Sequence, residues 1–248
     1  MKEFVHLHVH TEYSLLDGAA KIKELIKEVK KQNSRAVAIT DHGNMYGAIK
    51  FYKECKENKI KPIIGCEFYV ANDLYDKTSS RNADTEDDVS NPKYHLVLLA
   101  KNLEGFHNLM KLSSKGFVEG FYGKPRIDLD FLSQCSKGLI CLSACIAGAL
   151  PRILLSDNYE NPYEEAKKYA LKMKDMFDEG DFYIELQNHY LDEQKRVNPM
   201  LMKLSKEIGV KCVATNDVHY IKESDHKMHD VLLCIQTAND YDDPNRFR

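Results

Sequence analysis

Residues 4–18 read FVHLHVHTEYSLLDG, and the first seven alternate strictly: Val5, Leu7 and Val9 on one side, His6, His8 and His10 on the other. Alternation of period two predicts a half-buried β-strand with its imidazoles on one face. Outward from it, six more short runs read as strands: residues 36–40 (AVAIT), 62–70 (PIIGCEFYV), 94–100 (YHLVLLA), 138–143 (GLICLS), 182–187 (FYIELQ) and 210–215 (VKCVAT). They are mainly apolar and β-branched, as strands covered on both faces should be. Between strands, residues 20–32 place Ile22, Leu25, Ile26 and Val29 at helical spacing, and residues 162–177 and 191–208 have comparable periodicity. Strand–helix alternation predicts an α/β fold of parallel strands joined by right-handed crossovers, and seven units favour a closed or nearly closed barrel over an open doubly wound sheet.

The chain has 248 residues, enough for one large α/β domain, and 35 Lys+Arg against 38 Asp+Glu give a formal charge of −3. No global basic field therefore draws it onto nucleic acid or membrane, although a local rim potential can still hold phosphates. No apolar run approaches the roughly 20 residues of a membrane helix, and MKEFVHLHVH is not a secretory leader, so a cytoplasmic address is expected. Seven cysteines, an odd number lying mostly in strand-like runs, read as reduced thiols. Cys55, Cys66, Cys135, Cys141, Cys212 and Cys234 are expected as small core hydrophobes, and His107, His226 and His229 as surface or half-buried residues on helices. Residues 72–92, polar and acidic, are expected to form a mobile surface excursion.

In a parallel barrel the reactive groups sit at the C-terminal strand ends. Here those ends carry His8 and His10 with Asp17 just beyond, Asp41 and His42, Glu67, His95, Cys145, and Asp217 and His219. Polar groups on apolar strands are costly unless paired or ligated, so their repetition on six of seven strands calls for a cause. Two imidazoles at i and i+2 on one strand face can chelate a single cation. A donor set of imidazole, carboxylate and one thiolate suits Zn²⁺, Mn²⁺ or Fe²⁺ rather than Mg²⁺ or Ca²⁺, and nine candidates exceed one tetrahedral ion, so two or three cations are expected. Cations about 3.5–4 Å apart can bridge a hydroxide and clamp a phosphate, the arrangement for phosphoester hydrolysis. Neither a G-x-x-x-x-G-K-[ST] loop nor a G-x-S-x-G elbow is present.

Residues 4–18, 38–47 (AITDHGNMYG), 65–70 (GCEFYV), 142–148 (LSACIAG) and 215–220 (TNDVHY) resemble the successive motifs of the polymerase and histidinol phosphatase (PHP) domains. Residues 116–128 (GFVEGFYGKPRID) and 229–237 (HDVLLCIQT) are similar to the amino-terminal PHP domains of bacterial DNA polymerase III alpha subunits, not to small stand-alone phosphatases. The resemblance runs from residue 1 to residue 248 and implies a single domain with a distorted (β/α)₇ barrel and a trinuclear metal site at the C-terminal strand ends. It places His8, His10 and Asp217 on one cation, Glu67 bridging to a second held by His95 and Cys145, and Asp17, His42 and His219 on a third. Asp41 is expected to orient an imidazole from outside the set, while His6, Glu185 and His189 have no settled role.

The implied activity is 3′–5′ exonuclease or related phosphoesterase chemistry on a DNA 3′ end, by a metal-bridged hydroxide. The implied partners are the remainder of a DNA-directed DNA polymerase alpha subunit in cis and other replisome subunits. That family's palm, fingers and clamp-binding segments would lie beyond residue 248, so nucleotidyl transfer is not expected of this chain, and apolar surface facing them would be left exposed. Two rivals are a silent, metal-stabilised docking module and a stand-alone phosphatase acting on a small phosphomonoester.

Overall fold

The apolar positions Ile22, Leu25, Ile26 and Val29 form the buried stripe of helix α1 (Ile22–Lys31), with the lysines and glutamates between them turned to solvent. This is seen in a computed structural model that describes residues 4–76 and 93–246. Strands β1 (Ala36–Ile39) and β2 (Lys61–Val70) flank helix α2 (Ala48–Glu57) and pair in parallel. Strand β3 (Tyr94–Ala100) leads into α3 (Leu103–Val118), followed by the two-residue β4 (Arg126–Ile127) and α4 (Leu129–Gln134). Beyond lie β5 (Leu139–Leu142), α5 (Ala149–Leu155), α6 (Pro162–Met176), β6 (Phe182–Leu186), α7 (Asp192–Ile208), β7 (Cys212–Ala214) and α8 (His226–Thr237). The strand order is β1-β2-β3-β5-β6-β7, with β4 beside β2.

Two expectations are corrected. The sheet is mixed: β3 runs antiparallel to both β2 and β5, while the other pairs are parallel. His95 therefore reaches the rim from the start of its strand, because reversing β3 brings its N-terminal end beside the C-terminal ends of its neighbours. Residues 4–10 also form no regular strand. The backbone bends at His8, so Leu7 packs on the interior cluster while His8, its neighbour, also points inward. The segment still joins the two edges of the sheet. Ala38 N donates to His6 O (2.8 Å) and Thr40 N to Val9 O (2.8 Å), while on the far side His10 N donates to Val218 O (2.7 Å) and Val218 N to His8 O (3.1 Å).

Register places Glu67, Val97 and Leu142 across from one another on the inner face of the curl. Below Glu67 that face is filled by Ala38, Val97, Leu99, Leu142 and Ala144. The alternate residues, among them Phe68, Leu98 and Cys141, face outward into the large core shared with α3 to α7. Val9 packs with α1, α2 and β1 in a separate cluster. Each such buried aliphatic or aromatic side chain contributes about 1.5–3 kcal/mol, and the interior apolar plug closes the bottom of the curl so that polar groups collect only above it.

All seven cysteines are free, and six are buried, but Cys212 is exposed and not the core residue expected. Its strand β7 lies at the sheet edge, with a burial pattern that is partly open. Most of the expected excursion, residues 77–92, lies outside the described residues. Its beginning is anchored, since buried Arg126 donates to Leu74 O (2.9 Å), Asp76 O (3.0 Å) and Gly120 O (3.0 Å). No helix among the described residues is long and apolar enough to cross a membrane.

Candidate metal centre

The structure brings all nine expected side chains to one rim. His8, His10 and Glu67 are fully buried there with Cys145 buried beside them, and Asp17, His42, His95, Asp217 and His219 surround them partly open to solvent. Among the described residues, three groups offer ligand atoms mutually within 4.8 Å: His8, His10 and Asp217; Glu67, His95 and Cys145; and His10, His42 and His219. The first two match the expected division. In the third, His10 stands where Asp17 was expected, although Asp17 Oδ2 lies 2.7 Å from His42 Nε2 and 3.5 Å from His219 Nε2.

The spacing suits cations better than hydrogen bonds. His8 Nε2 and His10 Nε2 face each other at 3.1 Å, and Asp217 Oδ1 is 3.2 Å from each. Ligand atoms bonded at about 2.0–2.1 Å in a tetrahedron stand about 3.3–3.4 Å apart, close to this triangle. Cys145 Sγ lies 3.6 Å from His95 Nδ1, and a thiolate at about 2.3 Å from a shared cation would also stand about 3.6 Å from an imidazole nitrogen. Glu67 Oε1 is 3.1 Å from both His8 Nε2 and His95 Nδ1, and so sits between the first two groups, while Oε2 is 2.6 Å from His42 Nδ1. Despite these approaches, neither oxygen of Glu67 nor Oδ1 of Asp217 makes a hydrogen bond of acceptable geometry. Buried carboxylate oxygens left in that state are costly unless a cation satisfies them.

Charge tells the same story. Burial works against charge on Glu67, Asp17 and Asp217, yet the surrounding imidazoles hold all three well below the usual carboxylate range. Burial likewise disfavours a charged His42, but Glu67 and Asp17 outweigh it and push its pKa up to about 10. His10 goes the other way: buried and beside His42 and His219, it falls to about 3 and is a neutral donor at pH 7. Burial raises the Cys145 thiol well above its ordinary value, so a thiolate there needs a cation beside it. The donor set therefore fits soft to borderline divalent cations.

Outside the donors, a supporting layer fixes ring orientations. Glu185, unassigned from sequence, accepts at Oε1 from His8 Nδ1 (2.7 Å) and from Gln187 Nε2 (2.9 Å), and is bonded to Thr215 Oγ1. A proton on Nδ1 leaves the lone pair of His8 Nε2 aimed at the centre. Asp41, expected to orient an imidazole from outside the donor set, reaches one through Ser14. It accepts from Thr11 N (2.6 Å) and Ser14 Oγ (2.8 Å), and Ser14 Oγ stands 3.1 Å from His10 Nδ1, so Asp41 acts through a hydroxyl relay. Tyr69 lies edge-on to His95 with ring centroids 5.2 Å apart and stacks on His42 at 5.9 Å.

His6 remains apart, its Nδ1 buried without a hydrogen bond and its ring edge-on to Phe4. His189 contacts Asn216 O through Nε2 at 2.9 Å, supporting the turn before Asp217 and adding no donor atom to the centre. Asp217 itself has φ 47°, and Leu16 and Ala144, which precede Asp17 and Cys145, have φ 64° and 65°. Such left-handed non-glycine residues cost free energy, and here they aim donors inward. His107 and His226 are exposed as expected, but His229 is not a bystander: its Nε2 lies 3.6 Å from Asp17 Oδ1. Nothing in the local sequence of α8 marks it, because its neighbours in the site come from residues 17 and 219.

The mixed, curled sheet recurs in solved structures. The fold is similar to a protein assigned as a metal-dependent phosphoesterase from Bifidobacterium adolescentis, with TM-score 0.53 and 12% identity over 88% of each chain. It is also similar to a two-domain Bacteroides vulgatus protein with a region assigned as a PHP-like metal-dependent phosphoesterase, with TM-score 0.50 and 12% identity over 87% of this chain and 52% of that one. At such identity the likeness establishes the fold alone.

The PHP domain profile matches residues 6–189, and the chain belongs to the PHP domain family. It is 49% identical over 245 residues to the DNA polymerase III subunit alpha of Borreliella burgdorferi and 44% identical over 250 residues to that of Thermus aquaticus. Each alignment covers 99% of this chain and 20% of the relative, so the chain spans about a fifth of the length of these proteins.

Proposed function

We propose that residues 1–248 form the PHP domain of a replicative DNA polymerase III alpha subunit and carry a metal-dependent phosphoesterase site acting on the 3′ end of DNA. His8, His10 and Asp217 would hold one divalent cation, and Glu67, His95 and Cys145 a second, with Glu67 between them. Asp17, His42 and His219 would hold a third. The observation that carries this reading is the triangle of His8 Nε2, His10 Nε2 and Asp217 Oδ1 at 3.1–3.2 Å, with Glu67 Oε1 at 3.1 Å from His8. Divalent cations of the Zn²⁺, Mn²⁺ or Fe²⁺ kind would supply Lewis acidity toward a phosphoryl oxygen and a hydroxide nucleophile at neutral pH.

The chain's own contribution is preorganisation. Glu185 fixes the tautomer of His8, the Asp41–Ser14 relay turns His10, and the apolar plug beneath Glu67 keeps bulk water from entering below. The partners proposed are a DNA 3′ end and the rest of an alpha subunit in cis, with other replisome subunits beyond, in the cytoplasm. Because the relatives are about five times longer, polymerisation itself is assigned to segments other than these residues.

The test follows metal content and cleavage together in the purified chain, using 5′-labelled single-stranded DNA beside a small phosphomonoester. DNA shortening that disappears in His10→Ala and Asp217→Ala supports the proposal. A folded, metal-loaded chain inert on both substrates would leave a docking module whose cations serve the fold. Cleavage of the monoester alone would assign it to small-molecule hydrolysis.

A further inference from the structure

Helix α8 is lightly anchored: Leu233 and Cys234 are its only buried residues, and Met228, Val231 and Ile235 face solvent. It also lies beyond the residues matched by the PHP domain profile. Yet it delivers one side chain into the centre. His229 is mostly buried, its ring lies 5.6 Å from that of His219 and 5.3 Å from that of Tyr220, and Nε2 is buried with no hydrogen bond. That nitrogen faces Asp17 Oδ1 at 3.6 Å, whereas His42 and His219 address Oδ2. Asp17 is thus approached on one oxygen by the expected cation donors and on the other by α8.

Like Glu185 behind His8 and Ser14 behind His10, His229 stands on the outer side of a candidate donor, but at 3.6 Å its approach is an ion-pair distance and not a hydrogen bond. We propose that His229 is a positioning residue for Asp17, and that through it the third cation position and helix α8 are coupled. The inference rests on the metal-centre reading above and deepens it. A carboxylate confined by an imidazole facing its outer oxygen loses less freedom when its inner oxygen takes a cation, so His229 would raise affinity at that position. Coupling is reciprocal, so filling the position must in turn hold α8 more firmly against the barrel.

Two variants separate this from a packing role. His229→Leu keeps bulk without a donor nitrogen, and His229→Gln keeps a donor. Mn²⁺ titration and hydrogen exchange over residues 226–237 are measured for each and for the parent chain. The expected result is that Leu weakens one Mn²⁺ site by about 10–100-fold, leaves the others unchanged, and abolishes the slowing of α8 exchange by Mn²⁺, while Gln restores much of both. Leu and parent binding Mn²⁺ alike, with α8 exchange indifferent to it, would overturn the coupling and leave the metal centre standing. A parent chain that takes up no Mn²⁺, Zn²⁺ or Fe²⁺ at all would overturn both.

Discussion

Glu67 is the residue on which the centre's charge balance turns. Its carboxylate is fully buried with imidazole nitrogens of His42, His8, His95 and His10 at 2.6, 3.1, 3.1 and 3.8 Å. A buried carboxylate without such company would cost several kcal/mol, so this position tolerates an acid only because positive charge is supplied. Glu67→Gln keeps the volume and removes the charge. Cation affinity is expected to fall by more than about 10-fold at two positions, read by titration with Mn²⁺, and unchanged uptake would remove Glu67 from the donor set.

His42 gives the matching prediction in pH. Its pKa rises from 6.5 to about 10 in the cation-free fold, so its charged form stabilises that fold fully below about pH 6.5 and progressively less as pH climbs toward 10. Thermal melts of chelated protein should therefore decline across that window, with a flatter slope in His42→Asn. An identical slope in the variant would show that the proton sits elsewhere.

At the scale of elements, the sequence was legible where burial decides and opaque where direction or long-range contact does. Six strands and α1, α6 and α7 follow from runs of apolar residues with clear spacing, and the candidate donors were singled out by their positions at strand ends. The orientation of β3 does not, because YHLVLLA reads the same in either direction. The bend at His8 was hidden by an alternation that the sequence keeps and the backbone breaks. Helix α3 was hard to see because Gly105, Asn108 and Gly116 take up three of the five positions of its buried face, leaving only Leu109 and Leu112 as apolar markers. Gly105 is required there for close approach: a Cβ would stand 1.8 Å from Gly138 O, where α3 enters against β5. Gly105→Ala is expected to destabilise the fold by about 1–3 kcal/mol, lowering the urea midpoint at constant m, while each folded molecule keeps its full cation content. Loss of cations in step with stability would mean that α3 shapes the rim directly.

For the whole molecule, the centre ties together residues 8–10, 17, 42, 67, 95, 145 and 217–219, so nearly every layer of the curl ends in it. Without cations, the edges joined by residues 6–10 are held mainly by four backbone hydrogen bonds, and the buried acids depend on protonated imidazoles. Cations that bind the folded chain and not the unfolded one stabilise it by mass action, about 2.7 kcal/mol for a site at a hundredfold excess over its Kd. For a domain of this size that is a rise in Tm of about 5–10 °C per site. Removing cations with a chelator should therefore lower Tm by at least that much, and re-adding Mn²⁺ or Zn²⁺ should restore it in the parent chain but not in Asp217→Ala. The variant also separates a cation effect from a general salt effect, because only the former requires the carboxylate. A Tm indifferent to chelation, in protein shown to have lost its metal, would mean that packing alone closes the curl and that the rim is free to serve catalysis without supporting the fold.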